Sequence, residues 1–179
     1  LEDKEILVQF QKSETRTQAF NHLVKKYQQK IYWHIRKMVI DHDDADDLTQ
    51  EVFIKVWNNL ENFRGDSQLY TWLYRVASNE CLNFLNKRKN KYLLPVDDEE
   101  NGLANKLESD AMISGDEIQI KLQKALLKLP DKQRLVFNMK YYDDLKYEDI
   151  AEITGTSVGA LKASYHLAVK KIEEYLAEN

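Results

Sequence analysis

The chain has 179 residues, including five glycines, two prolines and one cysteine, and its 30 acids against 26 Lys and Arg leave a net charge of −4. Such a composition, rich in Leu, Ala, Lys and Glu, predicts an all-helical protein of one ordinary domain or two small ones. It excludes an intrachain disulfide framework and points to a reducing cytoplasm, and no apolar run approaches the about 18 residues of a membrane span, so no direct membrane insertion is expected.

Helical periodicity begins with Ile6, Leu7 and Phe10 and resumes from Ala19 through Leu23, Tyr27, Ile31 and Ile35 to about Val39. A helix over 45–60 and another over 69–91 complete a first unit. Its expected core is Phe20, Leu23, Tyr27, Val52, Phe53, Val56, Val76 and Phe84, with Cys81 a small packing residue and His34 and His42 at the surface or the core edge.

Between Asp41 and Glu51 lie six acids and no Lys or Arg. Those nearest the helix start complement its dipole. Further in, Asp47, Gln50, Glu51, Ile54 and Asn58 share the face opposite Leu48, Val52, Phe53 and Val56. An isoleucine among acids and amides suits a docking surface for a basic, partly apolar partner helix, and a plain solvated face is the other reading. A calcium loop starting at Asp41 fails, because its sixth position is Asp46 rather than Gly and its twelfth is Val52 rather than Glu. The histidines form no His-x-x-x-His pair, so no metal, cofactor or catalytic site is expected.

From Phe63 to Asn79 a turn at Gly65 gives way to a helix that Asp66 or Ser67 could cap. At about 3.6 residues per turn, Trp72, Arg75, Asn79, Asn83, Asn86 and Asn90 share one face. A solvated face usually carries Lys and Glu. An asparagine stripe opened by an aromatic suits a surface that stacks on bases and bonds their edges, as single-stranded DNA recognition requires. Five basic residues and one acid lie between Arg75 and Lys91, and three lysines and no acid between Val158 and Lys171. Two basic helices separated by acidic segments predict two DNA-facing surfaces, weak DNA affinity and a larger partner.

Over 92–115 the periodicity fails, and Pro95, Gly102, Gly115 and the run Asp97-Asp98-Glu99-Glu100 read as a flexible acidic linker. The domain plan is therefore 1–91, linker 92–115, and 116–179. The last part opens with a helix through Ile118, Leu122, Leu126 and Leu129 that ends near Pro130, then a helix from Asp131 or Lys132 to Tyr142. A short helix carrying Ile150, Ala151 and Ile153 follows, Gly155 supplies a tight turn, and Ser157 caps a longer helix. This is a helix-turn-helix pattern; a hairpin that merely packs is the bland alternative. The apolar face of the longer helix is Leu161, Tyr165, Ala168, Ile172 and Leu176. Gly159, Ala163, His166 and Lys170 lie opposite, flanked by Lys162 and Ser164. Small residues there let a helix enter a major groove, and the lysines and histidine suit phosphates and base edges.

The order of Asp46-Asp47-Leu48-Thr49-Gln50-Glu51-Val52-Phe53, then Phe63 through Asn79, then Leu129-Pro130 and Tyr147 through Lys162 resembles a bacterial extracytoplasmic-function (group 4) sigma factor of RNA polymerase. The resemblance covers about 5–91 and 116–176. It implies two helical domains and an initiation factor that binds core polymerase, selects promoters and helps melt them, with no enzymatic activity. Asp46, Asp47, Gln50, Glu51, Ile54 and Trp57 would bind the beta-prime clamp helices. Phe63, Arg64, Ser67 and Leu69 belong to a loop that would hold a flipped base of the minus-ten element. Trp72, Arg75, Asn79, Asn83, Lys87 and Arg88 would hold the non-template single strand. Ser157, Lys162, Ala163, Ser164, His166 and Lys170 would read the minus-thirty-five element as duplex. The resemblance also implies contact with the beta flap, a linker near the RNA exit path and an anti-sigma factor as partner. One departure is that Ala163-Ser164-Tyr165-His166-Leu167-Ala168-Val169 carries none of the arginines common there, which implies fewer phosphate contacts. A two-domain transcriptional regulator, which leaves the Trp72/Asn79/Asn83 and Asp47/Gln50/Ile54 faces without purpose, and a helical adaptor that never touches DNA are the competing readings.

Overall fold

Leu23, Tyr27, Ile31 and Ile35 recur every four residues along one helix, and all four are buried. The structure, a computed structural model, describes residues 1–92, 102–106 and 116–179. Among these residues there is no strand. The helices are α1 (Asp3–Phe10), α2 (Arg16–Val39), α3 (His42–Asn59), α4 (Leu69–Tyr92), α5 (Glu117–Leu127), α6 (Asp131–Tyr141), α7 (Tyr147–Thr154) and α8 (Val158–Glu178).

In the first unit α1, α3 and α4 pack around α2. Ile6 and Phe10 of α1, Ala45, Leu48, Val52 and Val56 of α3, and Leu73, Ala77, Cys81 and Leu85 of α4 fill the space against it. Among the expected core residues, Leu23, Tyr27, Val52, Phe53 and Val56 are buried, while Phe20, Val76 and Phe84 are half-buried at its border. Burial pushes the Cys81 thiol up to about 12, so it acts as a small apolar side chain. Helix α3 starts three residues before the expected Ala45, because the Asp41 carboxylate accepts the Asp44 N–H at 3.1 Å and caps it.

The second unit turns on α6, where Arg134 through Met139 are buried without a break. A helix buried all round must have neighbours on every side. Phe137 joins Ala125, Leu126, Leu129, Ala168 and Ile172 in a core of its own. On the opposite side Leu135, Val136 and Met139, with Ile150, Ile153 and Leu161, continue the core of the first unit. The two units thus share apolar burial and close on one another.

Several expectations give way here. His34 is fully buried, not at an edge. Ile118 is 76% exposed and Leu176 39% exposed, so neither belongs to an apolar face in this fold. The N-cap position of α4 falls on Gln68, whose carbonyl accepts the Trp72 N–H at 3.2 Å, and not on Asp66 or Ser67. Within the expected linker, 102–106 is helical, and Leu103 is buried against Ile40 and Leu127. The linker's Pro95, its acid run at 97–100 and Gly115 lie outside the described residues.

Candidate nucleic-acid and polymerase interface

With Leu48, Val52 and Val56 turned inward, helical spacing forces Asp46, Asp47, Gln50, Glu51 and Ile54 outward. All five are exposed, Ile54 by 61%. Trp57 stands at the edge of this face, with its ring edge-on to Phe10 at 5.4 Å and Phe20 at 5.1 Å. It anchors α3 to α1 and α2 while leaving one edge free. The result is a rigid, acid-rimmed apolar ridge.

Beyond α3, Leu60–Asn62 form a 3-10 turn, and Gly65 takes φ 77°, a left-handed conformation that glycine adopts without strain. The chain then enters α4. Phe63 meets the Trp72 ring at 5.3 Å, and the pair walls a cavity of about 510 Å³ that Asn79 and Asn83 also line. That volume is in the range of small-ligand sites. Arg64, Arg75, Asn79, Asn83 and Lys87 are exposed, and Ser67 is half-buried. Two residues of this set are otherwise engaged. Leu69 is a core residue, 3% exposed, so its side chain is no surface contact. Arg88 lies 3.4 Å from Asp44 and ties α4 to α3. Burial and the adjacent Asp41 raise the Asp44 carboxyl above its ordinary value.

In the helix-turn-helix, Gly155 ends α7 at φ 72°, and the Ser157 hydroxyl accepts the Ala160 N–H at 3.2 Å to start α8. Leu161, Ala168 and Ile172 are buried. Lys162, Ala163, His166 and Lys170 are exposed on one side of α8, and Ser164 is half-buried at its border with the packed side. Lys162 lies 5.8 Å from the Tyr147 ring, which holds its stem over α7.

The helix-turn-helix and the start of α4 touch. Tyr70, at the start of α4, donates a hydrogen bond to Asp149 of α7. Burial, and then that bond, raise the Tyr70 hydroxyl's pKa. A second cleft, about 730 Å³, lies between the 65–69 loop and α1, and Asp149 and Glu152 line it too. Deeper in the interface Arg134 bonds the end of α2, and Asp143 lies 3.1 Å from Lys37 and 3.6 Å from His34. The other ring nitrogen of His34 is 2.8 Å from the Ser78 hydroxyl. None of these interdomain partners was foreseen from the sequence. The available signal was a polar Arg134 and Asn138 embedded in the apolar stretch Leu135, Val136, Phe137 and Met139.

Residues 23–91 match the family Sigma-70 region 2, and 119–172 match Sigma-70, region 4. The RNA polymerase sigma-H factor of Pseudomonas aeruginosa is 32% identical, the match covering 98% of this chain and 94% of that protein. The ECF RNA polymerase sigma factor SigW of Bacillus subtilis is 31% identical over 89% of this chain and 90% of its own length. The ECF RNA polymerase sigma-E factor of Escherichia coli K12 is 31% identical over 97% and 93%. Among solved structures, CnrH in complex with the cytosolic domain of CnrY has the same fold, with a TM-score of 0.72, 21% identity and coverage of 99% of this chain and 98% of that one. The sigma factor RpoE of Bartonella quintana, in complex with the anti-sigma factor NepR, gives 0.68, 23%, 88% and 96%. With both sigma regions matched in order and full-length relatives above 30% identity, the chain belongs to the extracytoplasmic-function sigma factors of RNA polymerase.

Proposed function

We propose a division of labour among three surfaces of this sigma factor, whose shared task is to direct core polymerase to promoters and initiate transcription. The α3 ridge of Asp46, Asp47, Gln50, Glu51, Ile54 and Trp57 docks on the beta-prime clamp helices. The 63–69 loop and the α4 face of Trp72, Arg75, Asn79, Asn83 and Lys87 hold the non-template strand of the minus-ten element. Ser157, Lys162, Ala163, Ser164, His166 and Lys170 face the minus-thirty-five duplex. The observation that carries this reading is the Phe63–Trp72 cavity, with exposed Asn79 and Asn83 at its rim. It offers an aromatic wall to stack on and amides to bond a base edge.

Bond-making stays with polymerase, and this chain acts by differential binding. Opening a base-pair step costs on the order of 1–2 kcal/mol, and stacking returns roughly 1–3 kcal/mol per captured base. A few captured bases therefore bias opening once polymerase holds the duplex.

The closed arrangement bears on when this happens. The two promoter elements lie about 25 base pairs apart, about 85 Å at the rise of B-DNA. Tyr70 and Asp149, by contrast, are in hydrogen-bond contact. The two units must therefore separate for both elements to be read at once, and docking on polymerase and its beta flap supplies the force. An anti-sigma factor in the cytoplasm is the expected antagonist, in line with the partners of the two solved relatives.

The test is run-off transcription with purified core polymerase on promoters from the protein's own genome. Promoter-specific transcripts are expected. Active core enzyme that yields none with this chain would sink the reading.

A further inference from the structure

The cavity beside Trp72 holds one residue that a DNA-facing surface should avoid. Glu80 is the single acid between Arg75 and Lys91, and it lines the same cavity as Asn79 and Asn83. Its side chain is only 13% exposed, so it is no solvated rim charge. It accepts a hydrogen bond from Lys55 of α3, whose side chain is 54% exposed and also borders the cavity. A half-enclosed carboxylate repels phosphate, but it is a strong acceptor for an N–H donor on a base edge. The Lys55 ammonium is such a donor. In the closed protein it stands where the amine of a base would stand.

We propose that Glu80 determines base specificity in this cavity, accepting the exocyclic amine of an extruded adenine, cytosine or guanine and rejecting thymine. The inference rests on the placing of the minus-ten strand at α4. Cytosine N4, adenine N6 and guanine N2 each present N–H bonds to a carboxylate. Thymine presents two carbonyl oxygens around its lone N–H, and those lone pairs face the carboxylate oxygens. When a base enters, Lys55 is released from Glu80, and its exposed position lets it swing onto the flanking phosphate. The lysine then contributes affinity without sequence preference, and the glutamate contributes preference at one position.

The experiment uses holoenzyme, assembled from core polymerase and the full chain, on promoter pools randomised at each minus-ten position in turn, with transcripts sequenced. For the unaltered chain, thymine should be depleted at one position by about five- to a hundredfold, the span of a good base contact. Glu80→Gln keeps the shape and an acceptor but adds a donor that can meet a thymine carbonyl, so thymine should return at that position and nowhere else. Lys55→Ala should leave the base profile unchanged, weaken promoter binding uniformly, and lower the salt-dependence slope by about one. Glu80→Asp, a shorter carboxylate, should retain the exclusion in weakened form and guards against a folding defect peculiar to the glutamine. An unchanged base profile in active Glu80→Gln holoenzyme, or thymine tolerated everywhere by the unaltered chain, overturns the Glu80 assignment alone. An undiminished rate of open-complex formation in Trp72→Ala holoenzyme overturns the placing of the strand itself, and this inference with it.

Discussion

Arg134 of α6 reaches across to the last turn of α2, where its Nη1 donates to the carbonyls of Lys37 at 3.1 Å and Met38 at 2.9 Å. Those carbonyls close a 24-residue helix, where intrahelical donors run out and the dipole is negative. The guanidinium thus caps one unit with a side chain from the other, and it is 3% exposed. Arg134→Ala leaves buried acceptors unpaired. A loss of about 2–4 kcal/mol in denaturant unfolding is expected, as for charged hydrogen bonds removed from a buried site. Small-angle scattering should also show a larger radius of gyration. If the midpoint and the radius both stay put, this contact does not hold the units together.

Asp143 adds a pH-dependent part to the same interface. Burial raises its carboxyl, but His34 and Lys37 together outweigh that and hold it below its ordinary value. A carboxylate depressed in the folded state contributes in full above its unfolded value, about 3.9, and loses that contribution as pH falls through the folded one. The Tm difference between the unaltered chain and Asp143→Asn should therefore be constant above about pH 5 and shrink toward zero on further acidification. Should the difference grow as pH falls, the sign of this linkage is wrong.

The α3 and α4 surfaces should separate in assays. Asp47→Ala with Gln50→Ala removes exposed polar groups from α3 and should weaken core binding by about tenfold or more while leaving Tm within about 1 °C, as surface changes usually do. Trp72→Ala should slow open-complex formation at saturating core by a similar factor, through loss of one stacking platform. Equal losses in both assays for both variants would count against the assignment of faces.

Gly155 tests the helix-turn-helix on its own. Its φ of 72° suits glycine, and a Cβ there would meet nothing within 4 Å. The cost of Gly155→Ala is thus backbone strain alone, about 1–2 kcal/mol. Gly155→Asn, better tolerated in that conformation, should cost less. Equal stability for the three would mean that the turn relaxes to another geometry.

Much of this protein is local. Periods of three and four residues mark α1 to α8 but neither the 3-10 turn at Leu60–Asn62 nor the helical 102–106. Gly155 and Ser157 mark the turn and cap, and the outward faces of α3 and α8 follow from where Leu48, Val52, Leu161 and Ala168 must point. Those features depend on neighbours within a turn or two, so a linear chain carries them. What the chain does not carry is which polar groups meet across about 25 to 110 positions. His34 reads as an edge residue because nothing nearby in sequence shows that Ser78 will bond it and that Asp143 will come to face it. Leu69 looked like a loop contact, and Ile118 like a core residue, because burial depends on which element arrives opposite. The closed pairing of α4 with α7, and of Lys55 with Glu80 in the cavity, exists only once separate helices pack. Hydrogen bonds and ion pairs of that kind are set by three-dimensional proximity, not by spacing along the chain. The face of Trp72, Asn79 and Asn83 is therefore readable as a stripe, while the bond of Tyr70 to Asp149 and the half-enclosed position of Glu80 take their meaning from the tertiary structure.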